Sequence, residues 1–188
     1  MDILAHALWA GIGVAAVARR CAVTRHFAVL AVGLAVAPDI VQLLPVVGWT
    51  ASQPGGWATL GAYATALPGS EPELPPLVES LAHHLHCLLH SAIVAAAITA
   101  AAWRFRRRLW APLFGWWSHI VIDVFTHSAA FYPSPVLYPI TRQGFDGIAW
   151  NTPAFMLANY AAIAAAIAAL ILTRRRAAAK PRAAARPP

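Results

Sequence analysis

The stretch HIVIDVFTH, residues 119–127, sets His119, Asp123 and His127 four apart in otherwise apolar sequence. On a helix, residues four apart lie on nearly the same face. His119 and Asp123 then project together, with His127 slightly further round. His86 and His90 repeat the spacing and form a second such pair if one helix carries both. Neutral imidazole and carboxylate at this interval are a natural ligand set for zinc or a similar divalent ion, with one coordination position left for water. An ion also offsets the cost of burying carboxylates. The same array serves catalysis, because water bound to such an ion has a pKa near about 7 and a carboxylate can hold it or take its proton. His6 and Asp39 complete the polar set inside the apolar segments, with Ser91 and Ser118 beside it.

The elements that must position these residues are membrane helices. The chain has 188 residues, of which 60% are hydrophobic and 11% charged. Ordinary soluble domains carry about 25% charged residues. Five stretches are candidates for spanning: residues 3–18, 27–47, 86–103, 109–126 and 154–172. All but the first approach the ~20 residues that cross ~30 Å of hydrocarbon. The first is expected to tilt against its neighbours or to enter partway. The fold class is therefore all-α, a polytopic membrane helix bundle. Met1-Asp2 precedes the first apolar run with no basic segment, so that run reads as a retained span rather than a signal peptide. Cys21 and Cys87 fall at opposite ends of the spans and define no disulfide framework.

Orientation follows from the basic residues. Arg19, Arg20 and Arg25 lie between the first two spans, Arg104 and Arg106 to Arg108 between the third and fourth, and Arg174 to Arg186 after the fifth. With five crossings these groups share one face, which the positive-inside rule makes cytoplasmic. The N-terminus is then outside and the C-terminus inside. Glu71, Glu73 and Glu79 sit in the opposite loop, which has no Lys or Arg, and Trp49, Trp103, Trp110 and Trp150 fall near span ends, where interfacial indoles belong. The net charge of +7 is thus an orientation signal with some attraction to anionic lipid, and calls for no nucleic acid. Residues 1–173 read as one membrane-embedded domain. The Pro- and Gly-rich stretch 49–82 reads as an irregular extracytoplasmic cap, and 174–188 as a basic disordered cytoplasmic tail. Residues 132–153 are expected to form an ordered loop without a strand pair, in which Asp146 either lines the mouth of the site with Arg142 or caps its own turn.

On this topology His6, Asp39, His86, His90, His119, Asp123 and His127 all fall in the outer half of the bundle. Charged residues within spans are costly and point to function. Metal-dependent catalysis is the first reading. A proton or metal-ion transporter built on the same array is the second, and a structural metal knot the third. The chain has no clear inverted repeat of the kind common in transporters, which favours the first. His83 and His84 read as solvated loop residues, and His26 as an interfacial one.

The segments MDILAHALW, APDI, LHCLLHS, GWWSHIVIDVFTHS, FYPSPVLYPI and GFDGIAWNTPAF resemble the YdjM-like family of bacterial inner-membrane proteins, described as membrane-bound metal-dependent hydrolases. The likeness spans residues 1 to about 160. It implies a multi-pass protein of the bacterial inner membrane, with a metal centre formed by His6, Asp39, His90, His119, Asp123 and His127. Within that set Asp39 and Asp123 are the catalytic carboxylates, Asp39 as bridge or base. Leu89 stands where the family usually has Thr, and Val41 where many members carry a second acid. The order of ligands is also similar to that of zinc-dependent phospholipase C, an all-helical enzyme. That pattern implies phosphoester hydrolysis, and the depth of the site implies a lipid or lipid-linked substrate. Zinc ranks first as the metal and manganese second.

Overall fold

The computed structural model describes residues 1–67, 70–106, 111–130 and 132–179. Among these residues the chain is all-helical: α1 (Ile3–Val17), α2 (Arg25–Ala51), α3 (Gly56–Thr65), α4 (Pro76–Leu89), α5 (Ala92–Phe105), α6 (Phe114–Thr126) and α7 (Pro153–Ala179), with a 3-10 turn at Ala111–Leu113 leading into α6. Side-chain oxygens mark several starts by accepting an otherwise unpaired first-turn N–H. Asp2 takes that of Ala5 at 2.9 Å, Thr24 that of Phe27 at 3.2 Å and Ser91 that of Val94 at 3.2 Å.

α2 and α7 are each long and apolar enough to cross a membrane, and α4 with α5 counts as a third crossing if the pair is one broken span. α1, with 15 residues, is about 22 Å long at ~1.5 Å per residue. It and α6 fall short of a full span by length, so the helices themselves support two or three crossings rather than five.

The expected third span, 86–103, is not one helix. α4 stops at Leu89 and α5 starts at Ala92, with a bend of 57° between them. Ser91 causes the break: its Oγ caps α5 and donates to the Tyr138 carbonyl, while the Ala92 N–H goes to the Val136 carbonyl. His86 and His90 are therefore not a simple helical pair, since His90 is the C-cap. The expected irregular cap at 49–82 is also corrected. It contains α3 and the first turns of α4, where Pro76 supplies the fixed φ that suits a helix start. At the other end α7 runs through Ala179, so residues 174–179 of the expected disordered tail are helical. Residues 180–188 and Arg107, Arg108 and Trp110 lie outside the described residues.

α2 is the central helix and packs against α1, α4 and α6. α7 runs parallel to α1: Tyr160 donates to Asp2, Ile163 packs on Met1 and Ala5, and Leu170 and Arg174 reach the Ala15 end. α5 and α6 are antiparallel, with Thr99 receiving the Trp117 indole N–H at 3.0 Å and Ala95, Leu113, Trp116 and Ile120 forming a shared apolar cluster. The Trp116 indole donates to the Leu89 carbonyl at 2.6 Å and holds the end of α4 against α6. Trp116→Phe removes that donor and leaves a carbonyl without its partner. We expect a loss of about 1–3 kcal/mol, read as a lower thermal unfolding midpoint in detergent.

Segment 132–153 has no strand, as expected. It closes the end of α6, whose last carbonyls have no partner within the helix. The N–H groups of Ile148, Trp150 and Gly147 go to Phe125, Thr126 and His127 at 3.0, 2.9 and 2.8 Å. Gly147 is required for this approach, because a Cβ there would press on the carbonyls of Phe125 and His127. Asp146 accepts the N–H of Ala129 at 2.8 Å, so it ties its loop to the turn after α6 instead of capping its own turn, and Arg142 is exposed.

Candidate metal centre

His6 on α1, Asp39 on α2, His90 at the end of α4, and His119, Asp123 and His127 on and just after α6 converge in one buried cluster. Asp39, His90, His119 and Asp123 each offer one ligand atom, and those atoms all lie within 4.8 Å of one another. Asp123 is central. Its Oδ1 meets His6 Nε2 at 2.9 Å, and its Oδ2 lies 3.2 Å from His90 Nε2, 3.2 Å from His119 Nε2 and 3.4 Å from His127 Nε2. Asp39 sits opposite, with Oδ1 3.7 Å from Nε2 of both His90 and His119 and Oδ2 3.9 Å from His6 Nε2.

The backbone decides which ring nitrogen faces inward. His119 Nδ1 lies 2.7 Å from the Ala35 carbonyl, His90 Nδ1 2.9 Å from the His86 carbonyl and His127 Nδ1 2.6 Å from the Tyr132 carbonyl. A carbonyl only accepts, so each Nδ1 carries a proton and each ring, when neutral, presents the Nε2 lone pair to the centre. This is the outer arrangement that ligating histidines use. The ring nitrogens crowd one carboxylate: His90 Nε2 and His119 Nε2 stand 2.9 Å apart, each 3.2 Å from Asp123 Oδ2. Asp39 Oδ2 and Asp123 Oδ2 are buried with no hydrogen-bond partner. A divalent cation among these atoms turns every repulsive pair into a ligand pair, so the residues fit a metal. Two imidazoles and two carboxylates suit zinc and manganese by donor type. The chain's own cationic group also lodges here: the Met1 amino nitrogen is 2.5 Å from Asp123 Oδ1 and 3.0 Å from His127 Nε2.

Local sequence explains the placement. Pro38 on α2 has no N–H to give the preceding turn, which loosens the backbone bonding beside Ala35. Gly115 lets α6 come against that turn, since a Cβ there would strike the Ala31 carbonyl oxygen. One turn further along both helices, His119 reaches Ala35. Tyr132 holds the other flank in a left-handed conformation, φ +46°, that costs a non-glycine residue on the order of 1 kcal/mol or more. Its carbonyl serves His127 and its hydroxyl meets that of Tyr63 at 2.7 Å.

His86 is buried beside His90 but supports rather than ligates. Its Nδ1 meets Gln42 Oε1 at 2.7 Å and its Nε2 the Pro133 carbonyl at 3.4 Å. Gln42 in turn donates to Asp39 Oδ1 at 3.3 Å. A chain of contacts therefore runs from His86 through Gln42 to orient Asp39. Sequence reasoning missed Gln42, although a polar residue one helical turn after a buried Asp was the available signal. It also missed Tyr63, Tyr132 and Met1, whose roles depend on long-range contacts. His83 and His84 are exposed on α4, with His83 beside Cys87 and His84 beside Tyr138.

Asp39, Gln42, His127 and Tyr132 also line a cavity of about 360 Å³ that reaches the protein surface past Leu4. The centre is thus approached through a mainly apolar chamber. No protein-family model matches the chain, and no curated protein or solved structure matches it.

Proposed function

We propose that the protein is a membrane-embedded metal-dependent hydrolase that cleaves a phosphoester, in a lipid or lipid-linked substrate, near the extracytoplasmic face of a bacterial inner membrane. The observation that carries this reading is the facing pair of Nε2 atoms of His90 and His119, pinned by backbone carbonyls and set against Asp123. The YdjM-like resemblance is consistent with it and supplies the bacterial setting. Topology is part of the proposal: α1, α2, the α4–α5 pair, α6 and α7 make five crossings, the shorter ones by tilting or local thinning of the bilayer. The parallel course of α1 and α7, with Arg174 near the Ala15 end of α1, supports opposite sides for the two chain ends. The basic end is cytoplasmic and the N-terminus outside.

When bound, the ion supplies Lewis acidity and water that loses its proton near neutral pH. The chain's own groups do the rest. Asp39 lines the cavity and carries an unpartnered buried oxygen, so it accepts the proton of the attacking water. Gln42 and His86 hold that carboxylate in place. Asp123 would supply the negative charge for the cation at the point where the Nε2 atoms of four histidines converge. The apolar chamber excludes bulk water.

The test is to purify the chain in detergent without chelator, load it with zinc or manganese, and assay short-chain phospholipids and lipid phosphates. We expect cleavage that falls at least 100-fold after chelation, on the order of the loss when a metal's contribution is removed, and returns on reloading. Metal-loaded protein that cleaves none of these but carries protons or metal ions across vesicles would establish the transporter reading instead.

A further inference from the structure

The hydrolase reading leaves the character of the substrate head open, and the cavity narrows it. No Lys or Arg lines it; Asp2, Asp39 and Glu71 do, along with Met1, whose amino group is already paired with Asp123. The aromatic residues Tyr63, Tyr132 and Trp150 share the same wall. Burial first, then the Tyr132 hydroxyl and the Glu71 and Glu79 carboxylates, push the Tyr63 phenol above its ordinary range. That phenol therefore stays neutral, and Glu71 lines both of the cavities that Tyr63 and Tyr132 line. Aromatic faces with a nearby carboxylate attract an alkylammonium group and repel an anion. The remaining wall is apolar and comes from the start of α1 and the middle of α2, where Leu4 is 58% exposed on the surface that would face lipid.

We propose that this cavity binds an ammonium-headed amphiphile, such as a zwitterionic phospholipid, with the ammonium against Glu71, Tyr63 and Tyr132 and the chain leaving between α1 and α2 past Leu4 and Leu43. A phosphodiester between head and chain then reaches the side of the chamber that Asp39 and His127 line. The cleavage of that ligand rests on the hydrolase reading; its binding does not. A second cavity, of about 230 Å³, shares Tyr63, Glu71 and Tyr132 with the first, so the tyrosine pair forms the partition between them.

The experiment is equilibrium binding to the full-length, metal-loaded protein in a non-ionic detergent, read by tryptophan fluorescence. The probes are dihexanoyl phosphatidylcholine, dihexanoyl phosphatidylglycerol and choline alone. We expect the choline lipid to bind about tenfold more tightly than the glycerol lipid, and Glu71→Gln to remove that preference without changing metal content. Wild-type metal content and helix content in Glu71→Gln separate recognition from damage to the fold. Equal or tighter binding of the glycerol lipid, or an unaltered preference in Glu71→Gln, overturns the proposal. Choline alone binding as tightly as its lipid overturns the amphiphile and assigns the site to a free amine. Selective binding with no cleavage leaves the proposal standing and counts against the hydrolase reading alone.

Discussion

Replacing Asp123 with asparagine lowers zinc affinity by at least about 100-fold while the protein still inserts and keeps its helix content. Removal of a mere supporting partner of a metal ligand already costs about 10- to 100-fold, and Asp123 touches every histidine of the cluster: His6, His90, His119 and His127. The side chain is fully buried, so the exchange of an oxygen for an amide nitrogen preserves volume and packing. It removes the charge that balances the cation. It also leaves the buried Met1 ammonium, 2.5 Å from Asp123 Oδ1, without its counter-charge, so the metal-free variant is expected to unfold at a lower temperature than the metal-free wild type. Zinc at 100 times its dissociation constant should stabilise the wild type by about 2.7 kcal/mol and leave the variant unchanged. Mass-spectrometric metal content and unfolding curves with and without zinc give both readouts. Stoichiometric metal in Asp123→Asn, or a wild type that stays empty when challenged with zinc, would sink the metal centre.

Gly115→Val is expected to separate α2 from α6 and to lose both stability and metal. A Cβ at residue 115 would collide with the Ala31 carbonyl and press on the Ala35 backbone nitrogen, 3.1 Å away. Backbone cannot yield as a flexible side chain does, so one helix must move. The cost is roughly 3 kcal/mol or more, equivalent to roughly 10 °C in Tm for a chain of this size. The displaced helix takes His119 from the Ala35 carbonyl and frees its ring to turn, so zinc affinity should fall with stability. Gly33→Ala is the internal control. It lies on the same helix, α2, nothing stands within 4 Å of its added Cβ, and it should be neutral or slightly stabilising. Equal behaviour of the two variants would show that the close approach at Gly115 does not position the site.

The His119 and Asp123 pairing was legible because both lie within one helix, where the period alone puts residues four apart on one face. His6, Asp39 and His90 were legible by a cruder rule, that polar groups in apolar segments must satisfy one another. The break at His90 and Ser91 was not, because a serine within an apolar run is locally compatible with an unbroken helix. Only the distant Tyr138 and Val136 carbonyls make the interruption favourable. Residues 49–82 were misread for a related reason. Prolines and glycines there suggested irregular chain, yet Gly55, with φ +73°, and Pro76 stand at helix starts.

By itself the sequence determined that this is an apolar helical protein, that its charges divide its two ends, and which imidazoles and carboxylates gather at one level. These follow from solvation and helical period, which act residue by residue. The tertiary structure decided which nitrogen each histidine presents, that His86 and Gln42 stand behind Asp39, and that an aromatic, acidic chamber opens onto the centre. Those outcomes depend on atoms far apart in the chain, Ala35 with His119, Tyr132 with Tyr63, and Gln42 with His86. They become available only when α2 and α6 meet closely at a glycine.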